Sequence, residues 1–345
     1  MRFSLRLFLN IAFGFSLLVA SGCGPATFVV GVTPGDRSLT STPIERDGKL
    51  GSDRVLIIDI TGLIANTNEP GLLSSGDNPV ARLTEALRLA EADDRVAAVV
   101  LRLNTPGGTV TASDMMYREV QRFRKKTGKP VVAVMMDVAA SGGYYLACAA
   151  DHVVAYPSTV TGSIGVVFQT LSVKPALNRI GIEAEALVSG PNKAVGSPLE
   201  TLEPSQREIL QGLVDRFYAD FVNIVRENRK TIDPDTWDIV TDGRVFTGRR
   251  AHELGLVDSL GDIRDGIGEA KKLANIDNAD VYLVHRPLDF VSGPYSAFPG
   301  VQKKSNVGNS PHTQINLLQL NLDTVFSLNT GTNSGLYYLW IPEIP

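Results

Sequence analysis

The chain has 345 residues, 43% hydrophobic and 20% charged, with a formal net charge of −4. Those values are those of a globular protein with ample material for a core, in one large domain or two ordinary ones. No basic stripe extends beyond short pairs such as Lys125-Lys126, which argues against nucleic acid as a partner.

The first element reads as an export signal. "MRFSLR" carries two arginines, residues 7–20 are mostly apolar, and "SGC" supplies small residues for cleavage. The apolar run is shorter than the roughly 20 residues of an ordinary membrane-spanning helix. Cys23 stands where a bacterial lipoprotein signal places the cysteine that is lipidated after cleavage, although Ala20 occupies a position where leucine is commoner. Residues 1–22 are therefore assigned as a lipoprotein-type signal peptide, with a plain secretory peptide or an uncleaved anchor as alternatives. The expected location is the bacterial envelope, facing the periplasm or the exterior, with the membrane held through Cys23. Cys148 is then left without a disulfide partner and reads as core packing.

Residues 23–52 turn to Gly, Pro, Thr and Ser and read as a tether. Strand-like and helix-like segments then alternate. "RVLIIDI" (54–60), "VAAVVLRL" (96–103) and "PVVAVMM" (130–136) are apolar strands, and residues 78–94 and 111–126 have helical spacing. A short helix follows Ser141, then "HVVAY" as a strand, "GIEAEALV" (181–188) as another, and a long helix over 204–229. Helices at "GRRAHELG" and 262–274 and a last strand, "DVYLVH", complete a single domain over 53–285. The pattern predicts an α/β fold whose sheet is buried on both faces. Residues 286–345 read as a tail of uncertain order.

Two loops follow apolar strands, where open α/β sheets place their sites. "NTPGG" (104–108) is one and "ASGG" (140–143) is the other. If they face each other, the amides of Gly108 and Gly142 converge beside the Ser141 hydroxyl as an oxyanion hole. Ser141 is either a nucleophile or the cap of the following helix, and each glycine pair alone is also an ordinary tight turn. A nucleophile needs a base. His152 lies at the opposite end of a helix from Ser141, His285 ends the last strand, and His312 is in the tail. "HELGL" lacks the second histidine of a zinc-binding helix, because Leu256 stands there, so no metal site follows. Lys193 is the only charged residue between Val188 and Leu199. Set against the equally uncharged stretch around Ser141, its amine would enter a neutral surrounding that disfavours the ammonium form. The alternative is an exposed loop lysine.

The segments "NTPGG", "AASGGYYLA", "TGSIGV", "SGPNKAVGSP" and "GRVFTGRRAHELGLVDSLG" together resemble, in order, the signal peptide peptidase A family. The resemblance covers about residues 54–285. It implies the Clp protease/crotonase-like fold, with repeated ββα-type units around the sheet, and a Ser–Lys serine endopeptidase that needs no cofactor. Ser141 matches the nucleophile, Lys193 the general base, Gly108 and Gly142 the oxyanion donors, and Ser163 a supporting hydroxyl. Asn192 departs from the aromatic residue usual before that lysine, which bears on the shape of the neighbouring pocket. The resemblance also implies peptide substrates, among them cleaved signal peptides, and a homo-oligomer, since double-length members carry two such domains. A crotonase-like acyl-CoA enzyme and a catalytically silent membrane scaffold are the competing readings.

Overall fold

Strands with side chains buried on both faces need apolar residues at successive positions, and three segments of this chain supply them. The computed structural model describes residues 38–46, 52–68, 77–287, 289, 291–296 and 336–340. In it, β2 (Arg54–Thr61), β3 (Val96–Thr105) and β5 (Val131–Ala140) run parallel at the centre of a nine-stranded sheet. The expected signal peptide, Cys23 and His312 lie outside the described residues.

Alternation along each strand divides the core into two layers. Leu56, Ile58, Leu101, Leu103, Ala133 and Met135 face one layer of helices. Those are α1 (Pro79–Ala92), α2 (Val110–Thr127), α3 (Gly142–Ala147) and the end of the long α5 (Pro204–Asn228), which adds Phe221 and Val225. Between α3 and α5 lie β6 (His152–Ala155), β7 (Val160–Gly162) and the short α4 (Lys174–Arg179). Val55, Ile57, Ala98, Val100, Val132 and Val134 face the opposite side, covered by Ile263, Ile267 and Ala270. These three come from α8 (Ile263–Leu273), which follows α6 (Trp237–Val240), β8 (Val245–Thr247), α7 (Gly248–Glu253) and β9 (Ser259–Leu260). On that second face Asp59 and Arg102, direct register partners on β2 and β3, form a two-point ion pair with both N–O distances 2.5 Å. Burial lifts the Asp59 carboxyl above the usual carboxylate range, against the pull of the guanidinium. Arg102 also donates to the carbonyls of Pro294 and Ser296, and so fixes part of the segment beyond the last strand.

The sheet order is β1-β10-β2-β3-β5-β6-β9, where β10 is Asp280–His285. Residues 23–52 are not wholly a tether. Thr40–Glu45 forms β1, antiparallel to β10, and closes that edge of the sheet. Its Ser, Thr and Pro content hides a strand, which polar edge positions tolerate. Residues 181–188 are not a strand. They have the right alternation, but among the described residues no neighbour offers them a ladder, and Leu187 is 94% exposed. Part of the expected tail is ordered: Tyr337–Leu339 forms β11, antiparallel to the three-residue β4 (Gly107–Thr109).

Candidate active site

The end of β5 positions Ser141. The last three residues of β5 pair in parallel with β7, Ala140 opposite Gly162. The Ser141 N–H then donates to the Gly162 carbonyl at 2.8 Å, and the Ser141 carbonyl accepts from Tyr145 N–H at 2.8 Å, starting α3. This abrupt turn from strand to helix requires φ +53° and ψ −114° at Ser141. Backbone of that kind costs a side-chain-bearing residue on the order of 1–3 kcal/mol. The hydroxyl does not compensate as a cap, because it makes no capping hydrogen bond. Among the described residues it has no hydrogen-bond partner at all, although Ser141 is only 1% exposed. Leaving a buried hydroxyl unpaired costs about 1–3 kcal/mol more. Neither cost is explained by packing, and together they favour the nucleophile reading over the cap.

Gly108 and Gly142 are glycines because backbone and side-chain atoms occupy the space a Cβ would need. A Cβ on Gly108 would meet the Ile64 carbonyl oxygen at 1.8 Å, and one on Gly142 would meet Ser113 Oγ at 2.3 Å. The Gly142 position also lies 3.1 Å from the Gly108 amide nitrogen, so the two loops do face each other. Ile64 holds Gly107–Thr109 from one side, donating to the Gly107 carbonyl and accepting from Thr109 N–H, both at 2.8 Å. The buried Thr105 hydroxyl braces the turn, donating to the Gly62 carbonyl at 2.5 Å and accepting from Gly107 N–H at 3.1 Å.

Ser163 leaves β7 beside Ser141, also with positive φ, +51°, and its N–H donates to the Arg244 carbonyl at 2.8 Å. Lys193 is not brought to this pair. It lies exposed in the turns of residues 191–196, and no hydrogen bond or ion pair holds its amine among the described residues. Its loop belongs to a stretch that leaves Ile180, Leu187 and Leu199 exposed, so no described residue encloses the amine. The described histidines lie elsewhere. His152 pairs with Val132 at the far end of β5 and bonds Ser259 Oγ at 2.9 Å, His285 bonds Thr42 Oγ1 at 2.8 Å, and His252 is exposed on α7. Cys148 packs in the core, where burial pushes its thiol up to about 12.

Two participants were missed in the sequence. Ile64 and Val167 both line the place where β11 lies, Ile64 behind Gly108 and Val167 across from Tyr337. Each sits in a stretch with no strand periodicity, so only the isolated bridges of the folded chain reveal them.

The Clp protease profile matches residues 59–161, which include Gly108, Ser141 and Gly142, in agreement with the Clp protease-like α/β fold. The peptidase family S49 profile matches residues 123–277, which include Ser141, Ser163 and Lys193. The chain is 35% identical over 235 residues to Protease 4 of Salmonella typhi, covering 68% of this chain and 36% of that protein. It is 36% identical over 262 residues to the chloroplastic serine protease SPPA of Arabidopsis thaliana, covering 73% and 38%. It thus spans little more than a third of the length of either. A Synechocystis sp. protein that bears the provisional name of a protease is 34% identical over 230 residues, and the match covers 67% of this chain and 78% of that one. By this last match and the profile over the Ser141 turn, the chain belongs to peptidase family S49.

Proposed function

We propose that the protein is a Ser–Lys serine endopeptidase, anchored to a bacterial envelope membrane through lipidated Cys23, that cleaves signal peptides or other membrane-derived peptides. The observation that carries the reading is the buried, unpartnered Ser141 hydroxyl on a strained turn beside the Gly108 and Gly142 amides. Ser141 Oγ attacks the peptide carbonyl carbon while Lys193 takes the hydroxyl proton. The two amides receive the oxyanion, the proton passes to the leaving amine, and water releases the acyl group by the same route in reverse. Ser163 lies within reach of this exchange and orients the lysine.

A homo-oligomer belongs to the same reading. Lys193 is exposed in the single chain, on a stretch whose apolar side chains, Ile180 and Leu187 above all, lie open to solvent. A second copy covering that stretch would bury both the apolar surface and the lysine loop. An acyl-CoA enzyme is disfavoured by the export signal, because CoA is cytoplasmic. A silent scaffold has no need of the strain at Ser141.

The test is labelling with a serine-directed fluorophosphonate beside a Ser141→Ala control. Labelling that survives in the control, or is absent from the unaltered protein, overturns the peptidase. Cys23→Ala tests the anchor separately: unchanged lipid labelling and an unchanged mature N-terminus would overturn it.

A further inference from the structure

Residues Leu336–Trp340 are bonded on two sides directly over the Ser141 turn. On one side, Val110 N–H donates to the Leu336 carbonyl at 3.0 Å and Trp340 N–H to the Pro106 carbonyl at 2.9 Å. On the other, Tyr337 and Val167 exchange both of their backbone hydrogen bonds, at 3.2 and 3.1 Å. Antiparallel ladders alternate closely and widely spaced pairs. Since Leu336 with Val110 and Trp340 with Pro106 are of the bonded kind, Tyr338 opposite Gly108 is of that kind too. Its carbonyl is therefore the acceptor for Gly108 N–H. The same oxygen borders the second donor: the place a Cβ on Gly107 would occupy is 2.2 Å from the Tyr338 oxygen and 2.7 Å from the Gly142 nitrogen.

The Tyr338 side chain fills an aromatic pocket. It is 1% exposed, stacks on Tyr145 with ring centroids 5.2 Å apart and touches Phe221 at 4.6 Å. Its hydroxyl donates to the Phe217 carbonyl at 2.9 Å. Tyr145 is itself bordered by Tyr117 at 5.3 Å.

From this geometry we infer that Leu336–Trp340 is an internal ligand of the substrate groove, bound by strand addition, and that the pocket under Tyr338 selects a large aromatic side chain. Strand addition to an exposed edge takes affinity from main-chain bonds and selectivity from side-chain pockets, and both components are present here. A strand serving only to finish an edge has no reason to set its carbonyl on the Gly108 amide, next to the Gly142 amide and an unpaired hydroxyl. In this state the groove is closed to other peptides, and a substrate enters by displacing the segment. Only the position of the scissile bond, after the residue in the Tyr338 pocket, rests on the peptidase reading.

The test uses the full chain with Ser141→Ala, so that binding is read without hydrolysis. The probe is a fluorescent, end-capped Leu-Tyr-Tyr-Leu-Trp, and a second probe carries Asp in place of the central Tyr. With Tyr338 intact the first probe should bind weakly. Tyr338→Asp should expel the segment and tighten probe binding at least about tenfold, whereas Tyr338→Phe should stay closed, because a competing occupant lowers apparent affinity by the fraction of open protein. The Asp probe should bind to none of them. If Tyr338→Asp does not fold, Trp340→Pro, which deletes the donor to Pro106, should open the groove while leaving the pocket intact. Equal binding of the first probe to all the folded variants, or equal binding of the two probes, overturns the inference. Hydrolysis by the Ser141-bearing counterparts is measured in parallel. The expected binding without hydrolysis would sustain the groove and remove the peptidase; hydrolysis without the expected binding would do the reverse.

Discussion

Ser141 and Ser163 leave the ends of two parallel strands side by side, in register at Ala140 and Gly162, and both have positive φ, +53° and +51°. Among the described residues only one other non-glycine residue, Asn275, shares that feature. Strain is concentrated where the chemistry is proposed. Replacing either serine by glycine should stabilise the protein, by about 1–3 kcal/mol at Ser141, because glycine adopts such backbone without penalty. Ser141→Gly should also be inert. Denaturant unfolding of the two variants checks the sign, and a destabilised Ser141→Gly would contradict it.

Ser163→Ala should lower turnover by roughly ten- to a hundredfold, the worth of one hydrogen bond to a charged group. If Ser163 orients the base, kcat falls while KM holds, and that split is what steady-state kinetics must show.

Lys193→Met should leave stability unchanged, because nothing described holds the side chain in the single chain. Turnover should nevertheless fall at least about a hundredfold. Lys193→Arg should fail as well, since a guanidinium stays protonated. His152→Ala loses the bond to Ser259 and some stability but should keep turnover. A near-normal Lys193→Met beside an inert, folded His152→Ala would show that the base lies elsewhere.

Exposed apolar side chains give the proposed assembly a handle. Ile180 and Leu187 are 71% and 94% exposed, so Glu at both positions costs the single chain little. Sedimentation should show the double variant dissociated and peptide hydrolysis should be lost with it. A dissociated protein that remains fully active would refute the oligomer requirement.

The ion pair under the sheet should be costly to break. Arg102→Met leaves Asp59 buried without its partner and frees the carbonyls of Pro294 and Ser296. The expected loss is about 3–5 kcal/mol, read by chemical denaturation, with partial recovery when Asp59→Asn is added.

Alkaline pH should destabilise the fold. Burial raises the Cys148 thiol from 9.0 to about 12 and pushes the phenols of Tyr144, Tyr145 and Tyr338 upward as well. The unfolded chain therefore loses these protons first, and stability present below about pH 9 should decline as pH rises toward 12. Thermal unfolding followed across that window tests it. In the folded state at neutral pH, Cys148 should resist thiol reagents, as peptide mapping would show.

Much of this was legible in the sequence because burial on both faces leaves an unmistakable apolar run, as in residues 96–103 and 130–136. The glycine pairs stood out for the same physical reason that they are needed: no other residue fits against Ile64 or Ser113. What was not legible depends on partners distant in sequence. Thr40–Glu45 is a strand only because β10 has a free edge, and residues 181–188 are none because no described neighbour offers an edge. The exposure of Lys193 and the order of Tyr337–Leu339 are likewise facts of neighbours, which spacing within one segment does not encode.

Two-sided pairing of residues 336–340 has one more consequence, for which peptides could replace them. The groove holds its occupant through main-chain donors at Tyr337, Tyr338 and Trp340, to Val167, Gly108 and Pro106. An imino acid has no such donor. Proline moved stepwise through a five-residue peptide should therefore leave a footprint in which the second, third and fifth places are forbidden, whatever side chains surround them. A proline-rich stretch of an otherwise acceptable polypeptide would pass through uncut.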